Sequence, residues 1–320
     1  MPTDARAGPL MIEATRTALV LSLLPRVGRT RRRQHLARLF WNRPGLVSSL
    51  TDAIERMPGR QFSQADFNRA LERADRILAT CRSLGVTIHA FGSPSYPAQL
   101  ERLAAPPVVL FSKGQFDPRR TPRVAVVGTR TPTSWGVRTS KTYAGLIADW
   151  GGVVVSGLAR GIDRAAHAAS IAHGGPTWAV LAHGLQTVFP ESNRDLAKEI
   201  VVRGGALISE YPPDETPRPE YFVERDRIQA GLAEAVLVIE TDLDGGAMHT
   251  ARFARQAGVP VWVTLSQAGA ETSRIRDLPE RQQGTWKLLR THAAIRVPNQ
   301  AAFNKLVRGL GRLRPQAGRT

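Results

Sequence analysis

The chain has 320 residues, of which 44 are lysine or arginine and 27 are aspartate or glutamate, so its formal charge is +17 at pH 7. This length accommodates two domains and a sizeable core. An enzyme of small metabolites does not need such a charge. The charge favours a polyanionic partner, because phosphates release counterions when arginines bind them. The arginines are spread along the chain, so a general preference for arginine in the source organism remains the alternative.

A single cysteine, Cys81, excludes an internal disulfide framework and a cysteine-based metal site. Residues 18–24 are apolar, but the run is too short for a membrane span, and the sequence after it is strongly basic without a preceding cleavage site. We therefore predict a soluble cytoplasmic protein.

Residues 13–79 carry a helical apolar pattern that prolines divide into short helices. We predict a small N-terminal helical domain over residues 1–84. Four arginines lie close together between two of these helices, and they either contact phosphate or form a solvated helix face: Arg29, Arg31, Arg32 and Arg33.

From residue 85 onward, short apolar runs alternate with helical patterns, which is typical of a doubly wound, mostly parallel sheet and of the α/β fold class. This second domain covers residues 85–310 and is followed by a basic tail over residues 311–320. Residues 266–283 are polar and charged, and we predict a flexible connection there. The predicted strands cover residues 85–90, 124–127, 153–155, 178–182, 206–209, 235–240 and 259–264.

The most informative stretch is residues 124–163, where two strands are each followed by a glycine-bearing, arginine-bearing loop. The first loop is Gly128-Thr129-Arg130. A glycine lets the backbone approach a ligand closely, and an arginine can fork onto a phosphate. Both loops belong on the carboxyl edge of the sheet and predict one phosphate site. Glycine also serves tight turns that bind nothing, and Asp163 in the second loop either contacts the ligand or caps the next helix.

Later strands end in further candidates. Asn193 follows the strand predicted at residues 178–182, and it either caps the helix predicted at residues 194–202 or contacts a ligand. Gly245-Gly246 precede a helix after the strand predicted at residues 235–240. Asp242 and Asp244 could hold a cation or a ribose, or they form a solvated turn. His167 on a helix face is more often a packed residue than a ligand or base.

We find no sequence motif for bond-breaking chemistry: no H-E-x-x-H, no cysteine-based zinc spacing, no P-loop and no G-x-S-x-G elbow. We therefore expect a binding protein without catalytic residues, metal or cofactor. If the polyanion is a single-stranded nucleic acid, its bases need aromatic side chains to stack on. Four candidates could also be ordinary packing residues: Trp135, Phe189, Tyr211 and Phe222.

The stretch resembles the DNA-processing protein A family (DprA, also called Smf). The family pattern is G-S-R after the strand that stands here at residues 124–127. After the strand at residues 153–155 it is S-G-x-A-x-G-I-D, which stands here as residues 156–163. The resemblance extends over residues 96–264 and includes the segment Ser209-Glu210-Tyr211-Pro212-Pro213. It implies a Rossmann-like domain over residues 85–310, single-stranded DNA binding, a homodimer, and help in loading RecA onto DNA during natural transformation (competence) and recombination.

Together, the loops and the resemblance predict a DNA- and phosphate-binding site. Its residues are Gly128, Thr129, Arg130, Ser156, Gly157, Arg160, Gly161, Asp163, Asn193, Arg225, Arg227, Gly245 and Gly246.

The chain departs from the family pattern at several positions. Thr129 replaces a serine, Pro176 replaces a lysine, and Asp226 replaces an asparagine between two arginines. Residues 244–250 replace a pattern close to R-S-G-S-x-x-T, so an arginine and a hydroxyl are missing there. With these changes, nucleotide binding is favoured more strongly for this chain than for a typical member of the family.

The alternative function is therefore a nucleotide-binding sensor or an enzyme similar to the nucleotide phosphoribohydrolases, which share this type of sheet. Those enzymes carry P-G-G-x-G-T-x-x-E with a catalytic glutamate. Here Gly245-Gly246 have no preceding proline, and Ala254 stands where the glutamate would be, so turnover is not expected.

Overall fold

The computed structural model describes residues 9–24 and 62–310. Its helices are α1 (Pro9–Leu23), α2 (Gln64–Leu84), α3 (Ser134–Asp149), α4 (Ile162–Ala172), α5 (Arg194–Val202), α6 (Pro219–Leu232), α7 (Gly246–Gln256), α8 (Gln267–Glu271), α9 (Glu280–Arg290) and α10 (Gln300–Leu310). Its strands are β1 (Val86–Ala90), β2 (Val109–Gly114), β3 (Arg123–Val127), β4 (Val153–Ser156), β5 (Thr177–Leu181), β6 (Ala206–Ser209), β7 (Ala235–Val238), β8 (Val261–Val263) and β9 (Ile295–Arg296). The helices expected within residues 25–61, the arginines at residues 29–33 and the tail at residues 311–320 lie outside the described residues.

The described strands form one sheet in the order β1-β2-β6-β5-β4-β3-β7-β8-β9. From β6 to β9 every neighbouring pair is parallel, whereas β1 with β2 and β2 with β6 are antiparallel. The prediction of a doubly wound, mostly parallel α/β sheet is confirmed.

Strand β3 shows why the sheet is buried on both faces. Val124 and Val126 belong to one apolar cluster, and Ala125 and Val127 belong to the other. Because successive side chains of a strand point to opposite faces, apolar residues at consecutive positions require cover on both sides. Helices α3, α4 and α10 contribute to the first cluster, and α6 and α7 contribute to the second.

The strand order reverses between β3 and β7, which flank each other. After β3 the chain builds β4, β5 and β6 on one side, then crosses the sheet through α6 and adds β7 and β8 on the other side. The loops that leave β3 and β7 therefore run apart. Such a switch point opens a crevice at the carboxyl ends of the strands.

The N-terminal helices pack on the antiparallel edge of the sheet. Ser63 and Asp66 form a capping box that starts α2, and Gly85 at φ +64° ends it. Helices α1 and α2 contact β1, and their buried side chains join the same apolar cluster as the sheet. Arg16 on α1 also pairs with Asp75 on α2 at 2.7 Å. A domain boundary at residue 84 remains a prediction.

One expectation about local structure was wrong. Residues 266–283 are not an irregular connection, because they contain α8, a short 3₁₀ helix (Ile275–Asp277) and the start of α9. Leu278 and Gln282 within this segment are buried, so part of this polar segment packs against the protein. Across residues 9–24 and 62–310, none of the helices combines the length and apolarity needed to cross a bilayer.

Candidate nucleic-acid interface

The loop after β3 is held by a buried glutamate at the end of β7. The Glu240 carboxylate accepts hydrogen bonds from the Thr133 backbone N–H at 2.8 Å and from the Thr133 hydroxyl at 2.7 Å. The Thr133 hydroxyl oxygen in turn accepts from the Gly136 N–H at 3.0 Å and so caps α3. The Glu240 carbonyl accepts from the Thr129 N–H at 2.7 Å. One fully buried residue therefore sets the path of the whole loop.

The loop after β4 folds against the first loop. The Ile162 N–H donates to the Thr129 carbonyl at 3.2 Å. Gly161 lies between them at φ +80°, and a Cβ atom there would lie 2.4 Å from the Thr129 carbonyl oxygen. Only glycine allows this approach. The two loops therefore lie against each other at one place on the sheet, and the phosphate site stays a prediction.

Asp163 shapes the second loop from inside. Its carboxylate accepts from the Gly157 N–H at 3.0 Å and from the Ala159 N–H at 3.4 Å. It does not cap α4, whose N-cap is Gly161 and has no side-chain cap. Of the two expected roles, helix capping is wrong, and ligand contact stays a prediction, because Asp163 lines the cavity described below while it holds its own loop.

Arg225 on α6 forms the floor beneath both loops. It is only 5% exposed, and its Nη1 donates to the Gly157 carbonyl at 2.7 Å and to the Val180 carbonyl. Its Nε donates to Asp226 at 3.2 Å. The guanidinium therefore ties α6 to the ends of β4 and β5.

Two carboxyl groups share this floor. Burial raises the pKa of Asp163, and the Arg225 charge opposes that shift. Burial also raises the pKa of Asp226 to about 7, with Arg225 opposing and the Asp163 charge reinforcing the rise. Near neutral pH the charge of this floor therefore depends on whether Asp226 carries a proton.

Above the floor lies a cavity of 440 Å³ at the switch point between β3 and β7. Its rim carries Arg130, which is exposed and forms no ion pair with the described residues. The Arg130 guanidinium lies 5.3 Å from the centre of the Phe222 ring, and Phe189 lies 5.8 Å from Phe222 and is 46% exposed. A cation beside an accessible aromatic ring can bind a phosphate while the ring stacks on a base.

The structure gathers seven of the thirteen predicted site residues around this cavity: Gly128, Thr129, Arg130, Asp163, Arg225, Gly245 and Gly246. The other six do not line it. Arg160 is exposed on the second loop, and Gly161 and Gly157 support the loops from behind.

The remaining three are buried. Ser156 donates to the Val126 carbonyl at 2.7 Å, and the amide of Asn193 donates to the Leu158 carbonyl at 2.8 Å. Asn193 makes no side-chain cap. Arg227 lies 2.7 Å from Glu210, away from the cavity. These side chains hold loops and α6 in position.

Other candidates separate in the same way. Tyr211 is buried and stacks on Tyr221, and Trp135 packs against the core. Of the four aromatic candidates only Phe222 lines the cavity, and Phe189 makes an edge contact with its ring. His167 is fully buried between Leu158 and Thr177, and burial lowers its pKa to about 3. It is a packed residue. Within the described ranges, no three His, Cys, Asp or Glu side chains are arranged to hold a metal ion.

Sequence reasoning missed Glu240 and Gln229. Glu240 was placed at the end of a predicted strand without a role, although a carboxylate at the end of a buried strand needs hydrogen-bond donors. Gln229, one turn after Arg225 on α6, lines the cavity. Its helical spacing from Arg225 was a usable signal.

Comparisons with known proteins agree with this architecture. The family model described as DNA recombination-mediator protein A matches residues 87–306. The DNA processing protein DprA of Bacillus subtilis is 33% identical over 70% of this chain and 76% of its own length. The chain spans about half the length of several other curated relatives that it matches.

Two solved structures are similar to this fold over most of the chain. The X-ray structure of DprA from Streptococcus pneumoniae has a TM-score of 0.72 and 26% identity, covering 92% of this chain and 96% of that one. DNA processing protein A from Helicobacter pylori, a structure described for its single-stranded DNA binding mode, has a TM-score of 0.61 and 27% identity, covering 70% of this chain and 96% of that one.

Proposed function

This chain belongs to the DNA recombination-mediator protein A family, and on that premise we propose that it binds single-stranded DNA at the carboxyl ends of β3 and β7. The observation that carries the proposal is Arg130, which has no ion-pair partner among the described residues and stands at the rim of a 440 Å³ cavity beside Phe222. The described residues supply backbone N–H groups, guanidinium groups and aromatic rings there. That equipment suits phosphates and unstacked bases.

A single strand fits this site better than a duplex does. The aromatic pair Phe189 and Phe222 can stack only on bases that are free of their own neighbours. The Helicobacter pylori relative is described for single-stranded DNA binding, which supports the same ligand here. The formal charge of +17 adds a sequence-independent attraction for the phosphate backbone.

We also propose that the protein acts as a homodimer in the cytoplasm, takes part in natural transformation and recombination, and helps RecA assemble on the bound strand. The support is family membership, because the Bacillus subtilis and Streptococcus pneumoniae relatives are named as DNA processing proteins. The protein has no catalytic step in this proposal.

The test is binding of fluorescent oligo(dT) by wild type and by an Arg130→Gln, Arg160→Gln double variant. We expect about tenfold weaker binding at low salt, and a salt slope reduced by about 0.7 for each phosphate that the variant no longer neutralises. The matched control is Arg120→Gln with Arg203→Gln. It removes the same charge from exposed positions that precede β3 and β6, at the amino ends of these strands. This control should bind like wild type.

The same variants can be assayed for RecA assembly on the strand. Wild type should speed assembly, and the Arg130→Gln, Arg160→Gln variant should not. Equal weakening in the site variant and in its control would reduce the proposal to non-specific charge attraction. Tighter binding of nucleoside monophosphates than of oligo(dT), or release of a free base from them, would favour the nucleotide alternative.

A further inference from the structure

A second cavity, of 400 Å³, lies between α7 and α9. Three of its polar side chains are cationic, one is anionic, and the rest of its lining is largely apolar. It is lined by Leu243, Asp244, Gly245, Met248, His249, Arg252, Arg255, Lys287, Leu288, Thr291 and Ala293.

The cations of this cavity come from two different helices. Arg252 and Arg255 are one turn apart on α7, so both can face the same side, and Lys287 lies on α9. All three are exposed, and none forms an ion pair with a carboxylate among the described residues. Asp244 is the one acidic residue of the lining. Because an excess of positive charge remains without a carboxylate partner, the cavity suits an anion.

The second cavity adjoins the first. Gly245 and His249 line both of them. Gly246 lies at the same turn, and a Cβ atom there would meet nothing within 4 Å. A chain-like ligand can therefore pass from the switch point over this glycine turn without meeting a side chain from Gly245 or Gly246.

The position of these cations bears on residues 244–250, where the chain lacks an arginine and a hydroxyl of the family pattern. The turn itself offers Asp244 and His249, but cations stand further along α7 and across from it on α9. The positive charge expected at the turn is thus supplied by its neighbours.

We propose that the cavity between α7 and α9 is a second subsite for the same DNA strand, which leaves the first cavity over Gly245-Gly246. This inference depends on the proposed single-stranded DNA binding. Arg252, Arg255 and Lys287 bind phosphodiester groups of the strand, and the apolar wall of Leu243, Met248 and Leu288 receives the face of a sugar or base.

A strand fits two adjoining cavities better than a free nucleotide does. Each cavity has the volume of a small-molecule site, so a mononucleotide fills one of them and gains nothing from the other. A polymer reaches both, and its binding to the second is then intramolecular. The two subsites should therefore be separable by the length of the oligonucleotide.

The experiment compares an oligo(dT) of about 4 nucleotides with one of about 20 nucleotides on wild type and on an Arg252→Gln, Arg255→Gln variant. We expect the variant to bind the long probe about tenfold more weakly and the short probe within about twofold of wild type. Its salt slope on the long probe should fall by about 1.4, because two phosphates are no longer neutralised. Lys287→Gln, on the other helix, should give the same pattern with a slope change of about 0.7.

The Arg120→Gln, Arg203→Gln variant is the charge-matched control at the opposite sheet edge. If it weakens the long probe as much as the α7 variant does, or if the α7 and Lys287 variants leave the long probe unchanged, the second subsite is overturned while the first can stand. Equal weakening on short and long probes also overturns it. If wild type binds neither probe, both the subsite and the proposed function fail.

Discussion

Arg225 illustrates how a buried cation can serve a binding site by holding the loops that form it. Its guanidinium donates to the Gly157 and Val180 carbonyls, which are the exits of β4 and β5. It also lies beside Asp163 and Asp226, whose charges it offsets. Removing it would leave the Asp226 carboxyl group and two buried carbonyls without their donor, and would take a positive charge away from Asp163. That is more costly than removing a surface arginine.

The ionisation of Asp226 makes the stability of this buried cluster depend on pH. Its folded pKa of about 7 lies above the ordinary value of 3.8, so the fold favours the protonated form. The stability that this group contributes is present below pH 4 and is lost as pH rises through 7. Replacing it with the isosteric asparagine removes that loss.

We therefore predict that Asp226→Asn raises the melting temperature by about 2 °C or more at pH 8, and by clearly less at pH 5, where only part of that stability has been lost. The variant should also bind oligo(dT) more tightly than wild type at pH 8, because the ionised Asp226 is a negative charge in the cavity lining. Thermal unfolding followed by circular dichroism across this pH range measures the first effect.

The control is Asp195→Asn on α5, where the side chain is 97% exposed and pairs with Lys198 at 3.3 Å. It should shift the melting curve equally little at both pH values. A pH-independent effect of Asp226→Asn would show that its proton is not linked to folding. The facing groups, Asp163, Arg225 and Arg130, stay in place in both variants.

At the scale of the element, the two loops act as one unit because they touch through backbone atoms. The Ile162 N–H to Thr129 carbonyl hydrogen bond crosses between them, and Gly161 makes the close approach. Glu240 anchors the first loop and receives a further hydrogen bond from Gln282 of α9 at 3.1 Å. The rim of the cavity is therefore held from both sides of the switch point.

We predict that Gly161→Ala destabilises the protein and weakens oligo(dT) binding. The new Cβ would lie 2.4 Å from the Thr129 carbonyl oxygen, in addition to the strain of a positive φ. Gly174→Ala, at φ +71° with nothing within 4 Å, isolates the strain alone. It should cost about 1 kcal/mol and leave binding unchanged.

Urea unfolding and oligo(dT) titration of both variants decide this prediction. Gly161→Ala should be destabilised by at least about 1 kcal/mol more than Gly174→Ala, since overpacking adds to the strain. If the two variants have equal unfolding free energies and equal affinities, the close approach of the loops does not matter for the site.

At the scale of the whole molecule, charge and assembly act together. A chain with a formal charge of +17 repels its own copies at low salt, and a polyanion shared between two copies relieves that repulsion. For the proposed homodimer, sedimentation at about 10 µM and moderate salt should give twice the 34.9 kDa of one chain. A single 34.9 kDa species over a wide concentration range would contradict the dimer.

The sequence alone determined the fold class and the position of the two loops. Apolar runs such as residues 206–209 and the helix at residues 194–202 coincide with β6 and α5, because a core buried on both sheet faces leaves a local pattern. The glycines at 128 and 161 were also readable, since a close backbone approach demands that residue type at a strand exit.

Only the tertiary structure decided which predicted cations face solvent. Arg130 and Arg160 are exposed, whereas Arg225 and Arg227 are buried among carbonyl and carboxylate groups contributed by distant parts of the chain. An arginine has the same local pattern in both settings. Its environment is set by which strands and helices pack around it, and that depends on residues far apart in the sequence.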